Sequence, residues 1–232
     1  MVPREAEGSA LTWRGYRRRV IGDVAARLRR EYESEGLTES AMAADPITEF
    51  ESWFGDVTTT AIEEPNSFVL ATVDDDGTPS ARALLMKDMS EDGITFYTGM
   101  DSRKSRAMRA NPRVAATFVW IPLHRQVRFE GTVREVGPVV ADEYFATRPR
   151  GAQISAHASR QSEVVADRDL LDEEFARLDV ELGDEIQRPD HWGGWVLKPT
   201  MVEFWQGRPN RFHDRILYRL DDGRWLKERL SP

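Results

Sequence analysis

The spacing of apolar residues changes at about Asn66, and that change constrains the fold more than anything else in the chain. Phe68-Val69-Leu70-Ala71-Thr72-Val73 alternates as a strand, and Asp74-Asp75-Asp76-Gly77 reads as the hairpin turn that follows it. The next strand carries Ala81 to Lys87. A second turn at Glu91-Asp92-Gly93 precedes Ile94-Thr95-Phe96-Tyr97-Thr98. Further strands are predicted at Val114–Trp120 and Gln126–Val136, then at Gly194–Leu197, Met201–Trp205, Arg215–Leu220 and Trp225–Arg229. Consecutive strands joined by tight turns favour an antiparallel sheet closing into a barrel, mainly β with helices packed outside.

Helical spacing occupies the remaining stretches. Asp45-Pro46 opens a helix with Asp45 as N-cap and Pro46 in the first turn, and its apolar face is Ile47, Phe50, Trp53 and Phe54. Asp101 or Ser102 caps a short helix through Ala110, which Asn111-Pro112 stops. Val20–Tyr32, Val139–Thr147 and Asp167–Leu182 read as helices too. Residues 1–19 are expected to be a flexible leader and 20–232 a single domain without internal repeats.

Composition removes several classes of function. With 32 basic against 40 acidic residues and a net charge of −8, the chain lacks the basic face that general nucleic-acid binding requires. It has no cysteine, which excludes disulfides, thiolate nucleophiles and Cys-ligated metals. His124, His157, His191 and His213 lack close metal-ligand spacing, so no metal is expected. Neither a dinucleotide-binding glycine fingerprint, a P-loop nor a G-x-S-x-G elbow occurs. No segment reaches the roughly 18 apolar residues of a membrane span, and Arg4, Arg14 and Arg17 to Arg19 precede no apolar signal region. A soluble cytoplasmic protein is expected.

Against this acidic background, local cation clusters carry the chemical signal. Ser102-Arg103-Lys104 stands where a strand gives way to a helix; it is either a phosphate site at the positive end of the helix dipole or a solvated first turn. Arg82 and Lys87, five apart, point to opposite faces of an unbroken strand, serving two ligands or blunting a sheet edge. Tyr144 and Arg148 share one helix face and either close on an anion or form a surface stack. Arg211, His213 and Arg215 alternate at period two, which puts all three on one strand face, either an anion-facing wall or a solvent face. Trp205 beside them is an aromatic platform or a core residue.

In order and spacing these motifs resemble the pyridoxamine 5′-phosphate oxidases, FMN enzymes of vitamin B6 metabolism. The likeness runs from about Arg29 to Pro232. It comprises R-R-E-Y at 29–32, R-x-x-L-x-K at 82–87, F-Y-T at 96–98, S-R-K at 102–104, N-P-R-V at 111–114 and R-Q-V at 125–127. R-P-R-G-A-Q at 148–153, S-R-Q-S at 159–162, W-G-G at 192–194 and F-W-Q-G…R-F-H-D-R at 204–215 complete it. The resemblance implies a split β-barrel homodimer with FMN at the subunit interface and a dimerisation and substrate segment at 192–232. It implies oxidation of pyridoxamine or pyridoxine 5′-phosphate to pyridoxal 5′-phosphate, with O2 reduced to hydrogen peroxide.

Carried over by position, the run Arg82, Ala83, Leu84, Leu85, Met86 and Lys87 would lie along FMN. Thr98, Arg103, Lys104 and Ser162 would hold its phosphate and ribityl side with Arg82, while Tyr97, Gln126, Gln161, Trp205 and Arg215 line the flavin. Lys87, Tyr144, Arg148 and the position of Ala152 would meet the substrate phosphate. Arg211, Phe212 and His213 would face the pyridine ring, with Arg211 and His213 as the catalytic pair. Arg29, Arg30, Glu31 and Tyr32 would fold over the site as a lid. Two departures stand out. Ala152 replaces a common Ser, the loss of one hydrogen bond worth about 1–2 kcal/mol in affinity, and Ser155-Ala156-His157 replaces a Gly-Ala-Trp-like run at the pocket's outer wall. The alternatives to this reading are an oxidase of another ring, as in phenazine biosynthesis, and a non-catalytic flavin-binding protein. A deazaflavin reductase usually lacks the ending at 204–215.

Overall fold

The computed structural model describes residues 36–232, so the leader at 1–19, the helix predicted at Val20–Tyr32 and the lid residues Arg29 to Tyr32 lie outside the described residues. Helix α1 (Pro46–Thr58) begins where the sequence places it. Asp45 accepts from the backbone of Ile47 at 3.0 Å and Thr48 at 2.9 Å, and Pro46 occupies the first turn. Its buried face is Phe50, Trp53 and Val57. Phe50 packs on Phe118 at 4.9 Å and Phe129 at 5.2 Å, and Trp53 meets Phe204 edge-on at 5.0 Å. The helix therefore plugs the concave side of the sheet, each aromatic pair adding about 0.5–1.5 kcal/mol beyond area burial.

Nine antiparallel strands form that sheet among the described residues: β1 (Ser67–Val73), β2 (Pro79–Leu85), β3 (Asp88–Ser90), β4 (Gly93–Gly99), β5 (Arg113–Trp120), β6 (Arg125–Glu135), β7 (Trp192–Gln206), β8 (Asp214–Asp221) and β9 (Arg224–Arg229). The order is β2-β1-β5-β6-β7-β4-β3, with β8 and β9 added along β7. The sheet curls into a split barrel: after β2, Lys87 donates its backbone N–H to Thr95 at 2.8 Å and so ties one end of the order to the other. The β1–β2 turn works as predicted, Gly77 taking φ +85° while Asp74 and Thr78 close the hairpin.

Helix α2 (Arg103–Ala110) follows β4. The chain between β6 and β7 builds a separate layer from α3 (Pro138–Ala146), α4 (Arg150–Ala158) and α5 (Asp169–Glu181). That layer has its own core of Phe145, Ile154, Ala156, Ile186 and Trp192.

Four expectations need correcting. The two strands predicted at Gly194–Leu197 and Met201–Trp205 are one 15-residue strand, β7, because a bulge at Glu130/Gly131 accommodates Pro199. Gly131 is required there, since a Cβ would lie 2.0 Å from the Lys198 carbonyl. The strand carrying Arg82 stops at Leu85, so the parity argument that set Lys87 on the opposite face does not apply. Arg211, His213 and Arg215 do not share a strand face: Pro209–Arg211 is a 3₁₀ turn with Asn210 and Arg211 at φ 57° and 61°, and β8 begins only at Asp214. Finally, 150–158 is helical where no helix was predicted.

Candidate functional site

Helix α2 starts against the preference of its dipole. Its first turn holds Arg103 and Lys104 and no acidic residue, with Ser102 as N-cap. Lys104 is only 6% exposed, and its Nζ donates to Ser102 Oγ at 3.1 Å and Gln161 Oε1 at 2.9 Å. Burial, followed by the nearby Arg82, lowers its pKa to about 8. Arg82 reaches over from β2 and donates to the Leu70 carbonyl at 3.1 Å, to Thr72 Oγ1 at 2.9 Å and to Ser80 Oγ. Burial and Arg103 lower its pKa, with distant help from Asp74 the other way. A buried and a half-buried cation thus converge with neutral oxygens as their hydrogen-bond partners. That is costly unless an anion arrives.

Around this cradle, Gln161 Oε1 also accepts from Thr98 Oγ1 at 2.8 Å and the Gly99 backbone at 3.0 Å, and Ser162 Oγ accepts from the Arg103 backbone at 3.3 Å. The Arg103 side chain itself turns away to Asp74, at 2.6 Å, which raises its pKa.

Next to it lies a cavity of about 330 Å³ lined by Leu84, Tyr97, Thr98, Arg148, Gln161 and Trp192, together with Ser155, Ser159 and His191. Tyr97 stacks on Tyr144 at 3.9 Å and on Trp192 at 5.4 Å. Gly194 makes that stack possible, since a Cβ there would stand 2.7 Å from the Tyr97 ring. Tyr144 and Arg148 both lie against Trp192, at 6.2 Å between ring centroids and 4.5 Å from the guanidinium carbon, and Arg148 Nη1 is buried without a hydrogen-bond partner. Ala152, half-buried on α4, is not part of the lining; Ser155 one turn later is. Met86 and Lys87 line a different cleft of about 440 Å³, with Phe50, Phe54, Asn66 and Met89.

The second group of predicted residues gathers at the far end of β7. Gln126 pairs with Trp205 and Trp205 with Arg215 in the sheet register. Trp205 contacts the His213 ring at 4.6 Å. The Arg208 backbone donates to His213 Nδ1 at 3.0 Å, which makes Nδ1 an acceptor and places the proton of the neutral ring on Nε2. Burial, and then Arg211, lower the His213 pKa, which favours the neutral ring that this hydrogen bond requires. Arg215 donates to Glu203 at 2.7 Å, which raises its pKa, and Glu203 also receives Arg128 at 2.9 Å. Arg211 and Phe212 are exposed.

Thr98 pairs with Gly193 and Gln126 with Trp205, so the two groups are separated by about 40 Å of strand contour. Sequence reasoning assigned Trp192, Glu203 and Asp74 no part in the site, although Trp192 heads the W-G-G motif; Ser102 it placed in the S-R-K run and as a candidate cap. Among the described residues no helix is long and apolar enough to cross a membrane, and no cluster of His, Asp and Glu is arranged to hold a metal.

This fold is shared with split β-barrel proteins. The chain superposes with a TM-score of 0.81 on PhzG from Burkholderia lata, solved with tetrahydrophenazine-1-carboxylic acid; the two are 25% identical over 87% of this chain and all of that one. A pyridoxamine 5′-phosphate oxidase-related, FMN-binding protein from Nostoc punctiforme has the same fold, with a TM-score of 0.66, 17% identity and coverage of 82% of this chain and all of that one. Residues 55–180 match the pyridoxamine 5′-phosphate oxidase family, and residues 192–232 match the pyridoxine 5′-phosphate oxidase C-terminal dimerisation region. A pyridoxine/pyridoxamine 5′-phosphate oxidase from Cupriavidus metallidurans is 49% identical over 208 residues, covering 89% of this chain and 98% of that protein. One from Salinibacter ruber is 50% identical over 211 residues, with the same coverage. The chain belongs to the pyridoxine/pyridoxamine 5′-phosphate oxidase family of enzymes.

Proposed function

We propose that this protein oxidises pyridoxine 5′-phosphate and pyridoxamine 5′-phosphate to pyridoxal 5′-phosphate, with FMN as cofactor and O2 as electron acceptor. The alcohol gives aldehyde and hydrogen peroxide; the amine consumes a water as well and releases ammonia. The observation that carries this reading is a pair of cation sites at one cavity: Arg148 lies in its lining, and Arg82 with Lys104 stands behind it, Lys104 bonded to the lining residue Gln161; the partners of Arg82 and Lys104 are neutral, and Arg148 Nη1 has none. A phosphorylated cofactor and a phosphorylated substrate require two such sites.

Arg82, Ser102, Lys104 and Ser162 suit the FMN phosphate, through charge-assisted bonds and the α2 N-terminus. Bound FMN would supply hydride acceptance and reoxidation by O2. The protein's own task is alignment. Tyr144 and Arg148 hold the substrate phosphate, and Arg211 covers the substrate ring; Lys87, in the separate cleft beside Met86, has no part in that grip. His213 is fixed by the Arg208 backbone as an Nε2–H donor toward the ring hydroxyl. Arg215, beside Trp205, would present its positive charge to the bound flavin.

Because His213 and Trp205 lie so far along β7 from Lys104, one chain does not bring both groups to one flavin, and we infer that a second copy completes each site. Val69, Val119 and Ile121, exposed on β1, β5 and the turn after it, are suited to such a contact. The PhzG likeness supports a second reading, oxidation of a phenazine-type ring acid, but that ligand carries a carboxylate where the two cation sites here ask for phosphates.

The test is direct. Purified protein loaded with FMN is given pyridoxine 5′-phosphate under air. Peroxide and aldehyde in equal amounts are expected. A yellow but inert protein overturns the reading, and turnover of the phenazine substrate alone selects the second.

A further inference from the structure

Arg148 is held differently from its neighbours. In the same helical layer, Arg150 pairs with Asp179 at 3.1 Å and Arg188 with Asp142 at 2.5 Å. Arg148 instead lies with its guanidinium carbon 4.5 Å over the Trp192 ring and 5.5 Å from that of Phe145. Its Nη1 is buried with no acceptor, beside the 330 Å³ cavity. Trp192 is itself immobilised, edge-on to Phe145 at 5.1 Å and parallel to Tyr97 at 5.4 Å.

A carboxylate holding this arginine would cancel most of the field it presents to a ligand. A ring face attracts the cation through its quadrupole and leaves the net charge in place. We infer that Trp192 is a positioning residue: it fixes Arg148 by a cation–π contact in place of a carboxylate, and so sets the enzyme's affinity for the phosphate of its substrate. This rests on the reading of the cavity as the substrate-phosphate site, and it adds a residue to which no role in the reaction had been given.

The experiment uses the full-length protein loaded with FMN. Trp192→Met and Trp192→Leu are compared with Trp192→Phe, and Arg148→Met serves as reference. KM and kcat are measured with pyridoxine 5′-phosphate, and inorganic phosphate is titrated as a competitive inhibitor. The Met and Leu variants are expected to raise KM and the phosphate inhibition constant together, by roughly tenfold. Their kcat should stay within about twofold of wild type, since uniform binding alone is lost. The Phe variant, with a smaller ring, should fall between.

Should the Leu variant fail to fold, Met, which refills irregular gaps, carries the measurement. A Trp192→Met enzyme with wild-type KM and phosphate inhibition overturns the inference, as does a loss of kcat at constant KM. If Arg148→Met raises both constants while Trp192→Met raises neither, only the positioning role fails. If the wild-type enzyme does not turn over pyridoxine 5′-phosphate, the functional reading fails with it.

Discussion

The two ends of β7 are both rich in arginine and lysine, yet their charges are handled in opposite ways. At the N-terminal end, Arg82, Lys104 and Arg148 are bound by hydroxyls, amides, carbonyls or ring faces. At the C-terminal end the cations have carboxylates, the exposed Arg211 of the turn before β8 standing apart: Arg128 and Arg215 share the buried Glu203, while Arg208 and Arg229 share Asp214. Paired cations build a rigid, nearly neutral wall. Unpaired ones leave a potential that only a ligand can satisfy. The difference separates residues that bind an anion from residues that shape the surface against which chemistry takes place, although both look alike as basic motifs.

The largest effect should come from damaging the two ends separately. Lys104→Met removes a charge-assisted phosphate contact and should weaken FMN binding by roughly 100-fold. Arg211→Leu should leave FMN content unchanged and lower turnover by roughly 100-fold. In a two-fold dimer whose sites each use both chains, co-expressing the two variants regenerates one intact site per mixed dimer, so about a quarter of wild-type activity should return. Flavin content and peroxide production measure both parts. No recovery on mixing would mean that each chain builds its site alone, and equal loss of flavin and turnover in Arg211→Leu would remove that residue from the chemistry.

Much of the sheet was legible because strand alternation and turn chemistry are local. The Asp45 cap and the Gly77 turn needed only their neighbours to be read. The misreadings have non-local or masked causes. Pro199 reads as the end of a strand, but Gly131, on a different strand, makes room for it in a bulge. Arg150–Ala158 was hidden because Pro149 and Gly151 are poor helix formers, yet Pro149 stands at the N-cap and Ile154 and Ala156 are buried in the second core. The period-two row at 211–215 failed because Asn210 and Arg211 take left-handed φ just before the strand begins. Within the site, the residue types were visible and their partners were not. Nothing local announces that Asp74 takes Arg103, or that Glu203 takes Arg215.

The cradle's lack of carboxylates also predicts a pH dependence that the wall should not share. Burial lowers the Lys104 pKa to about 8 in the FMN-free fold, below its value of about 10.4 in an unfolded chain. Between those values the unfolded state binds more protons, so the FMN-free protein should gain stability from this group as pH rises from 8 to about 10. Phosphate binding favours the charged form and must take up the missing proton. FMN affinity should therefore fall as pH rises above 8, approaching tenfold per pH unit. Titrations at pH 7, 8 and 9 check this, with riboflavin as a control because it lacks the phosphate. An equal slope for riboflavin would place the effect elsewhere.

The smallest effect tests the wall. Glu203 is 4% exposed and bonded to two arginines that are themselves partly solvated, so solvent screens much of what the carboxylate contributes. Glu203→Gln keeps the shape and removes the charge, leaving Arg128 and Arg215 to repel across β6, β7 and β8. A loss of about 1–2 kcal/mol is expected, which for a chain of this size lowers Tm by roughly 3–6 °C. FMN affinity should change little, because the phosphate cradle is at the other end of the strand. The opposite pattern, unchanged Tm with FMN affinity reduced as in Lys104→Met, would show that the wall is not held by its carboxylates and that Arg215 depends on Glu203 for binding rather than for structure.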